Sequence, residues 1–316
     1  MNIFIKARRY LGVFYHNWYL WNPFGFKVLN LIWYKYKAVI QNKDASFCKE
    51  VYCFLCNYLK DKYGKYIVNE EAIVGNANHT IWVYWWQGLE LMPLIVKQCY
   101  RSVLANANGA KVQLITKDNY RDFIDVPEIM VDKQAKGVIC HAHFSDIYRC
   151  CLLYKYGGLW LDATILVTQQ ISPEIFDLDF YTMKKKPTAV NSVNSHYSSF
   201  CFGCKPGNIL FKNLSILFLE YVKTEKYFVD YFVFDYFIQI ISNTLPEVKQ
   251  MIDAHPYNNP GQIELQLHFN NIYQESWWNE LMSNGTFMHK LTYKGKLYEF
   301  VDGKETVYGH ILNLKY

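Results

Sequence analysis

The stretch HFSDIYRCCLLYKYGGLWLDAT, residues 143–164, contains a helix, a strand and the joint between them. A helix fits residues 141–156, with Ile147, Cys151, Leu152 and Tyr154 supplying its apolar side. Gly157-Gly158 stops it, and residues 159–167 read as a buried strand. Working outward, Asn76-Ala77-Asn78-His79 leads into another apolar run, residues 80–86, which Gly88 breaks. A helical pattern follows over residues 91–105, with Pro93 placed in its first turn. Residues 106–109 form a turn and residues 111–116 a further strand, while Pro127 divides residues 118–135 into short helices. Strands alternating with helices at Gly-rich turns predict an α/β domain with a mostly parallel central sheet.

Beyond this core, the polar residues 191–199 read as a loop, and Lys184-Lys185-Lys186 as a solvated one. Helical patterns cover residues 207–223, 228–243 and 261–282, before a short strand at 287–293. Two parts are therefore expected: a helical, basic and aromatic extension over residues 1–75, and the α/β domain over residues 76–316.

On the helix, Ser145 and Asp146 share a side with Arg149, at spacings of four and three. Such a short acid and guanidinium can grip hydroxyls and a phosphate together, or form only an intrahelical ion pair. Asp162 changes the balance. It follows an apolar strand, Leu159-Trp160-Leu161, at the strand end where ligands bind in open α/β sheets. A carboxylate there suits a divalent cation carried on a sugar-nucleotide diphosphate, because Mg²⁺ and Mn²⁺ take hard oxygen donors.

These residues resemble the bacterial capsular polysaccharide synthesis glycosyltransferases, relatives of sugar transferases with a DxD motif. The likeness is carried by Ser145-Asp146-x-x-Arg149, by Gly157-Gly158-Leu159-Trp160-Leu161-Asp162-Ala163-Thr164, by the opening run TIWVYWWQG at 80–88 with Pro93, and by HKLTYK at 289–294. It spans roughly residues 78–295 and leaves the first seventy outside. The resemblance implies a GT-A fold and a retaining hexosyltransferase that uses a nucleotide-diphosphate sugar as donor. It implies that Asp146 and Arg149 hold sugar and ribose hydroxyls, that Ser145 and Ala163 line the donor site, and that Asp162 is the first acid of DxD. The strand around Trp82, Tyr84, Trp85 and Trp86 would supply the nucleotide pocket. Thr164 stands where the second acid would be; it offers one neutral oxygen, so Mn²⁺ or Mg²⁺ is expected on Asp162, with Thr164 the weaker candidate.

A departing diphosphate needs its charge neutralised by a metal, Lys or Arg. Lys290 and Lys294, with His289, are candidates for this clamp or form a solvated basic turn. No pair of carboxylates stands out as nucleophile and acid, which favours a front-face reaction in which the departing phosphate takes the acceptor's proton. Asp235, among the aromatics at 231–237, either lines an acceptor pocket or is a satisfied core acid. The His141-x-His143 pair with Asp146 imitates metal-ligand spacing, but the histidines fall at a helix start.

Composition narrows the function classes. The 316 residues are 51% hydrophobic and 19% charged, a folding composition, and no run of about 18 apolar residues occurs. Thirty-three basic against 28 acidic side chains leave +5. Residues 1–40 alone carry Lys6, Arg8, Arg9, Lys27, Lys35 and Lys37 with no acid, together with twelve aromatics. That mixture suits either an anionic bilayer surface or rings packed on the main domain. Nucleic acid is not an expected partner, since the basic excess sits at one end without a recognition motif. Nine cysteines without a secretion signal point to a reducing, cytoplasmic setting, peripheral to the inner membrane at most. Cys53-x-x-Cys56 and Cys201-x-x-Cys204 can be drawn as a zinc site or read as buried thiols. The expected partners are a nucleotide-sugar donor and a glycan acceptor, the latter in lipid-linked form where the membrane reading holds. A sugar-phosphate transferase of capsule assembly, and an inactive assembly scaffold with Thr164 as the trace of lost catalysis, are the alternatives.

Overall fold

The computed structural model describes residues 45–70, 75–184 and 197–316, with side chains from residue 52 onward. The basic segment at residues 1–40, Lys185 and Lys186, and most of the polar loop at 191–199 lie outside the described residues.

In chain order the principal elements are α1 (Ala45–Tyr63), β1 (Thr80–Tyr84), α2 (Leu94–Ala105), β2 (Lys111–Ile115), α3 (Glu128–Ala135) and α4 (His141–Tyr156). Next come β3 (Gly158–Asp162), β4 (Ile165–Val167), β5 (Tyr181–Thr182), β6 (Cys201–Cys204), α5 (Ile209–Thr224), α6 (Val233–Thr244) and α7 (Pro246–Ala254). The chain closes with α8 (Glu264–Leu267), α9 (Glu275–Ser283), β7 (Met288–Lys290), β8 (Phe300–Val301), β9 (Lys304–Glu305) and α10 (Val307–Asn313). The protein is mixed α/β. Its central sheet has the order β2-β1-β3-β6-β5. Strands β1, β2 and β3 are mutually parallel; β6 runs against β3 and β5 against β6, so four of the five strands point one way.

Alternation along the strands divides the interior into two layers. Trp82, Tyr84, Trp160 and Phe202 face one core with α1, α4, α5 and α6. Ile81, Val83, Leu159, Leu161 and Cys201 face the other, with α2, β4, α9 and α10. Leu55, Leu59 and Tyr63 of α1 are fully buried in the first layer, and Tyr63 Oη donates to Glu225 at 2.9 Å. The helix before the expected boundary at residue 75 is thus built into the same core as the sheet.

The turn between α4 and β3 shows why two glycines are needed. Gly157 and Gly158 have φ of +64° and +92°, and a Cβ on Gly158 would lie 2.5 Å from the Thr80 carbonyl oxygen. The close approach drops β3 directly beside β1, in the register Tyr84 opposite Asp162. Trp82 Nε1 completes the joint by donating to the Gly157 carbonyl at 2.8 Å.

Several sequence expectations need correcting. The strand expected over 159–167 is two strands, broken at Ala163-Thr164, because β4 leaves the main sheet to pair with β7. The helix expected over 261–282 is α8 and α9, interrupted where Ile272 bridges Thr306 and Tyr273 donates its N–H to Glu305. Helix α7 went unread, as did strand β6, which carries Cys201 and Cys204. Lys184 is buried rather than solvated: its ammonium donates to the carbonyls of Ile252, Asp253 and His255 at 2.7–2.9 Å. Among the described residues no helix is long and apolar enough to cross a membrane.

Candidate active site

The parallel strands end together at Tyr84, Ile115 and Asp162. Asp162 shares a strand face with Trp160, the face that α4 covers. Cys140 caps helix α4, its sulfur accepting from the His143 N–H, and two turns on Arg149 reaches the end of β3, 3.8 Å from Asp162. Asp146 and Arg149, three apart, point into the space between helix and sheet.

Four charged groups meet there. Arg149 Nη2 lies 2.5 Å from Asp146 Oδ1 and 3.8 Å from Asp162 Oδ1. Its other terminal nitrogen donates to the Ser199 carbonyl, and the guanidinium lies over the Trp160 and Phe234 rings at 5.2 and 5.4 Å. Strand β7 brings the fourth group. Lys290 Nζ is 2.7 Å from Asp162 Oδ2 and 2.8 Å from Thr164 Oγ1. Trp160 Nε1 donates to Asp162 Oδ1 at 3.2 Å. Two cations thus balance two carboxylates.

Exposure runs as a gradient across the cluster. The Arg149 side chain is 5% exposed and Asp146 16%, whereas Lys290 and Asp162 are 22% and 27% exposed. Asp162 and Lys290 are thus the members most open to solvent and Arg149 the least. The two acids are driven apart electrically. Burial raises the Asp146 carboxyl above the usual range, with Arg149 and His143 opposing that shift. Burial acts the same way on Asp162, but Lys290 and then Arg149 outweigh it and hold Asp162 below the ordinary value. Asp162 is the better permanent anion.

Asp235, at the start of α6, is the third acid. Burial, reinforced by the Asp146 charge, pushes its carboxyl up to about 7. Tyr231 and Phe232 just before it are exposed; Tyr231 tilts against His143 at 5.6 Å and so stands at the rim, with the Phe232 ring edge-on to it at 5.4 Å. His143 itself stacks on Phe228 at 3.8 Å. The sequence signalled this rim only through Asp235 in its aromatic surroundings; Ser199, Phe200 and Tyr231 went unpredicted.

The remaining expected site residues separate. Ser145, Ala163 and Thr164 are buried beside the cluster. Trp82 and Tyr84 are core residues rather than pocket walls: Trp82 is covered by Phe123 and Tyr156, and Tyr84 by Phe144, Tyr148 and Trp160. Trp85 and Trp86 follow the strand end and are half-buried, Trp85 against Tyr293 and Trp86 against Tyr120, His141 and Phe144. His289 is fully buried on the opposite layer's side, where burial lowers its ring to about 4, so it cannot meet a diphosphate as a cation. Lys294 is exposed on the turn after β7, its ammonium over the Tyr293 ring. Of the expected clamp, Lys290 alone reaches Asp162.

The donor set fits a divalent cation poorly. Thr164 gives one neutral oxygen, and it and Asp162 Oδ2 are both engaged by the Lys290 ammonium. Among the described residues, no three His, Cys, Asp or Glu side chains gather as metal ligands. The two C-x-x-C pairs do not form such a group either: Cys53 is exposed on α1, while Cys201 and Cys204 are buried in β6.

Residues 31–311 match the family described as "Capsular polysaccharide synthesis protein". That span begins well before residue 78 and includes α1. A solved structure titled "PaToxG Glycosyltransferase" is similar at 14% identity and a TM-score of 0.40, over 66% of this chain and 82% of that one. No curated protein matches the chain.

Proposed function

Since the chain belongs to the capsular polysaccharide synthesis protein family, we propose that it moves a hexose from a nucleotide-diphosphate sugar to a growing capsular or surface polysaccharide, with retention of configuration. The observation that carries this reading is the Asp146–Arg149–Asp162–Lys290 cluster at the carboxyl ends of parallel strands. In a GT-A arrangement, the diphosphate lies at the open Asp162–Lys290 side and the sugar hydroxyls reach inward to Asp146 and Arg149. Asp146 accepts from hydroxyls, and Arg149, rigidly held by Ser199 and two rings, keeps that carboxylate aimed. Trp85 and Trp86 are the aromatics left at the strand end for the base.

In the reaction, the bond from the anomeric carbon to the β-phosphate oxygen breaks and its electron pair leaves with the diphosphate. An acceptor hydroxyl oxygen bonds to the same face of the anomeric carbon, and its proton passes to the departing phosphate. Positive charge grows on the sugar ring between carboxylates, and negative charge grows on the leaving group beside a cation. Tyr231 and Phe232 supply exposed ring faces for the acceptor glycan. A lipid-linked acceptor would place the enzyme at the cytoplasmic face of the inner membrane, with residues 1–40 as the basic, aromatic contact.

A panel of nucleotide sugars, followed by thermal shift and by proton NMR of the product, tests this. One donor should raise the melting temperature and yield a glycoside of the donor's own anomeric configuration. An inverted product would refute retention, and a phosphodiester product would favour sugar-phosphate transfer. A protein that neither binds nor consumes any donor would match the inactive scaffold.

A further inference from the structure

We propose that the Lys290 ammonium takes the place a divalent cation would occupy between the two positions of a DxD pair, so that the donor diphosphate is bound and released without metal. The inference rests on the transferase reading above and names the charge that serves its leaving group.

The position of Lys290 is set by the backbone. Its strand pairs with β4 in the register Ile165 opposite Lys290, its N–H donates to the Gln262 carbonyl at 2.6 Å, and the next N–H donates to the Thr164 carbonyl at 2.8 Å. The side chain is therefore delivered to the break between β3 and β4, the same break that carries Asp162 and Thr164. There it bridges a carboxylate oxygen at 2.7 Å and a hydroxyl at 2.8 Å, with the Phe200 ring 5.0 Å from its nitrogen. A threonine in place of the second acid is what an ammonium between the two positions calls for. It accepts one N–H and adds no charge, whereas Mg²⁺ and Mn²⁺ are held through one or two carboxylates plus phosphates. An ammonium has three donors. Two are used on Asp162 and Thr164, leaving one for a phosphate oxygen. A dication seated at Asp162 would stand against this ammonium, with the Arg149 guanidinium also 3.8 Å from the carboxylate.

When the anomeric C–O bond breaks, its electron pair stays on the diphosphate oxygen facing Lys290, which stabilises it as a charge and gives up no proton. The acceptor's proton goes to that leaving group.

Wild-type protein, Lys290→Gln and Lys290→Arg are titrated calorimetrically with nucleoside diphosphates, in EDTA and in Mn²⁺, and donor turnover is followed under both conditions. Wild type should bind one diphosphate and turn over its sugar in EDTA, with Mn²⁺ changing affinity by less than about twofold. Lys290→Gln should weaken binding in EDTA by about thirtyfold or more, and Lys290→Arg should recover most of it. Wild-type binding and turnover that vanish in EDTA and return with Mn²⁺ would overturn the inference while leaving the transferase intact. No turnover of any donor under either condition would instead remove the transferase reading and this inference with it. The wild-type comparison decides even where Lys290→Gln fails to fold.

Discussion

Asp235 makes the energetics of the site measurable without knowing the substrate. Its carboxyl is pushed from 3.8 to about 7, by burial first and by the Asp146 charge second. In the unfolded chain it ionises near 3.8, so between these values the native state holds a proton that the unfolded state has lost. The protonated acid therefore stabilises the fold fully below about pH 4, and that contribution disappears as pH rises through about 7. From about pH 5 to about pH 8 the loss is at most about 3 kcal/mol, at 1.36 kcal/mol per pH unit. Asp235→Asn keeps the shape and removes the titration. Urea denaturation of both proteins across this range gives the comparison directly. Wild type should lose stability toward pH 8 relative to the variant, the difference reporting the Asp235 titration together with its coupling to Asp146. Parallel curves would refute the reasoning and make Asp235 an ordinary ionised acid.

Three further outcomes follow from the geometry. Asp146→Asn and Arg149→Lys should each lower donor turnover about tenfold or more with the fold intact by circular dichroism, because an amide or an ammonium cannot reproduce the charge and fork that bind Asp146, Ser199 and Asp162 together; equal turnover in both would return the pair to a structural role. Gly158→Ala places a Cβ 2.5 Å from the Thr80 carbonyl oxygen at φ +92°, and chemical denaturation should show a loss of about 3 kcal/mol or more; a loss below about 1 kcal/mol would mean that the β1–β3 joint yields. Replacing Lys6, Arg8, Arg9, Lys27, Lys35 and Lys37 by Gln should abolish co-sedimentation with anionic liposomes, given about 1 kcal/mol per cation near headgroups; unchanged binding would place membrane contact elsewhere.

The legible parts of the sequence were those ruled by local chemistry. Helix α4 runs over the residues its apolar spacing and terminal glycines marked, and Asp162 lies at the strand end that the Gly-Gly turn implied. The parallel sheet followed from alternation of elements. Less legible was anything decided at a distance. Trp82 and Tyr84 look like ligand aromatics in a one-dimensional run, but strand alternation turns both into the layer beneath α4. Lys184 reads as loop charge because the three carbonyls that bury it lie some seventy residues later in the chain. His289 and Lys290 are neighbours in sequence, yet period two sends one into the core and the other to Asp162. The split of β3 from β4 depends on β7, more than 120 residues downstream.

Release of nucleoside diphosphate from a nucleotide-sugar panel, compared between wild type and Asp162→Asn, tests the central claim most directly. The side chain joins Lys290, Arg149 and Trp160, and the substitution removes its charge while keeping its shape. Wild type should release diphosphate from one donor, and the folded Asp162→Asn protein should fall by about a hundredfold or more. Equal release by the two proteins would contradict the account.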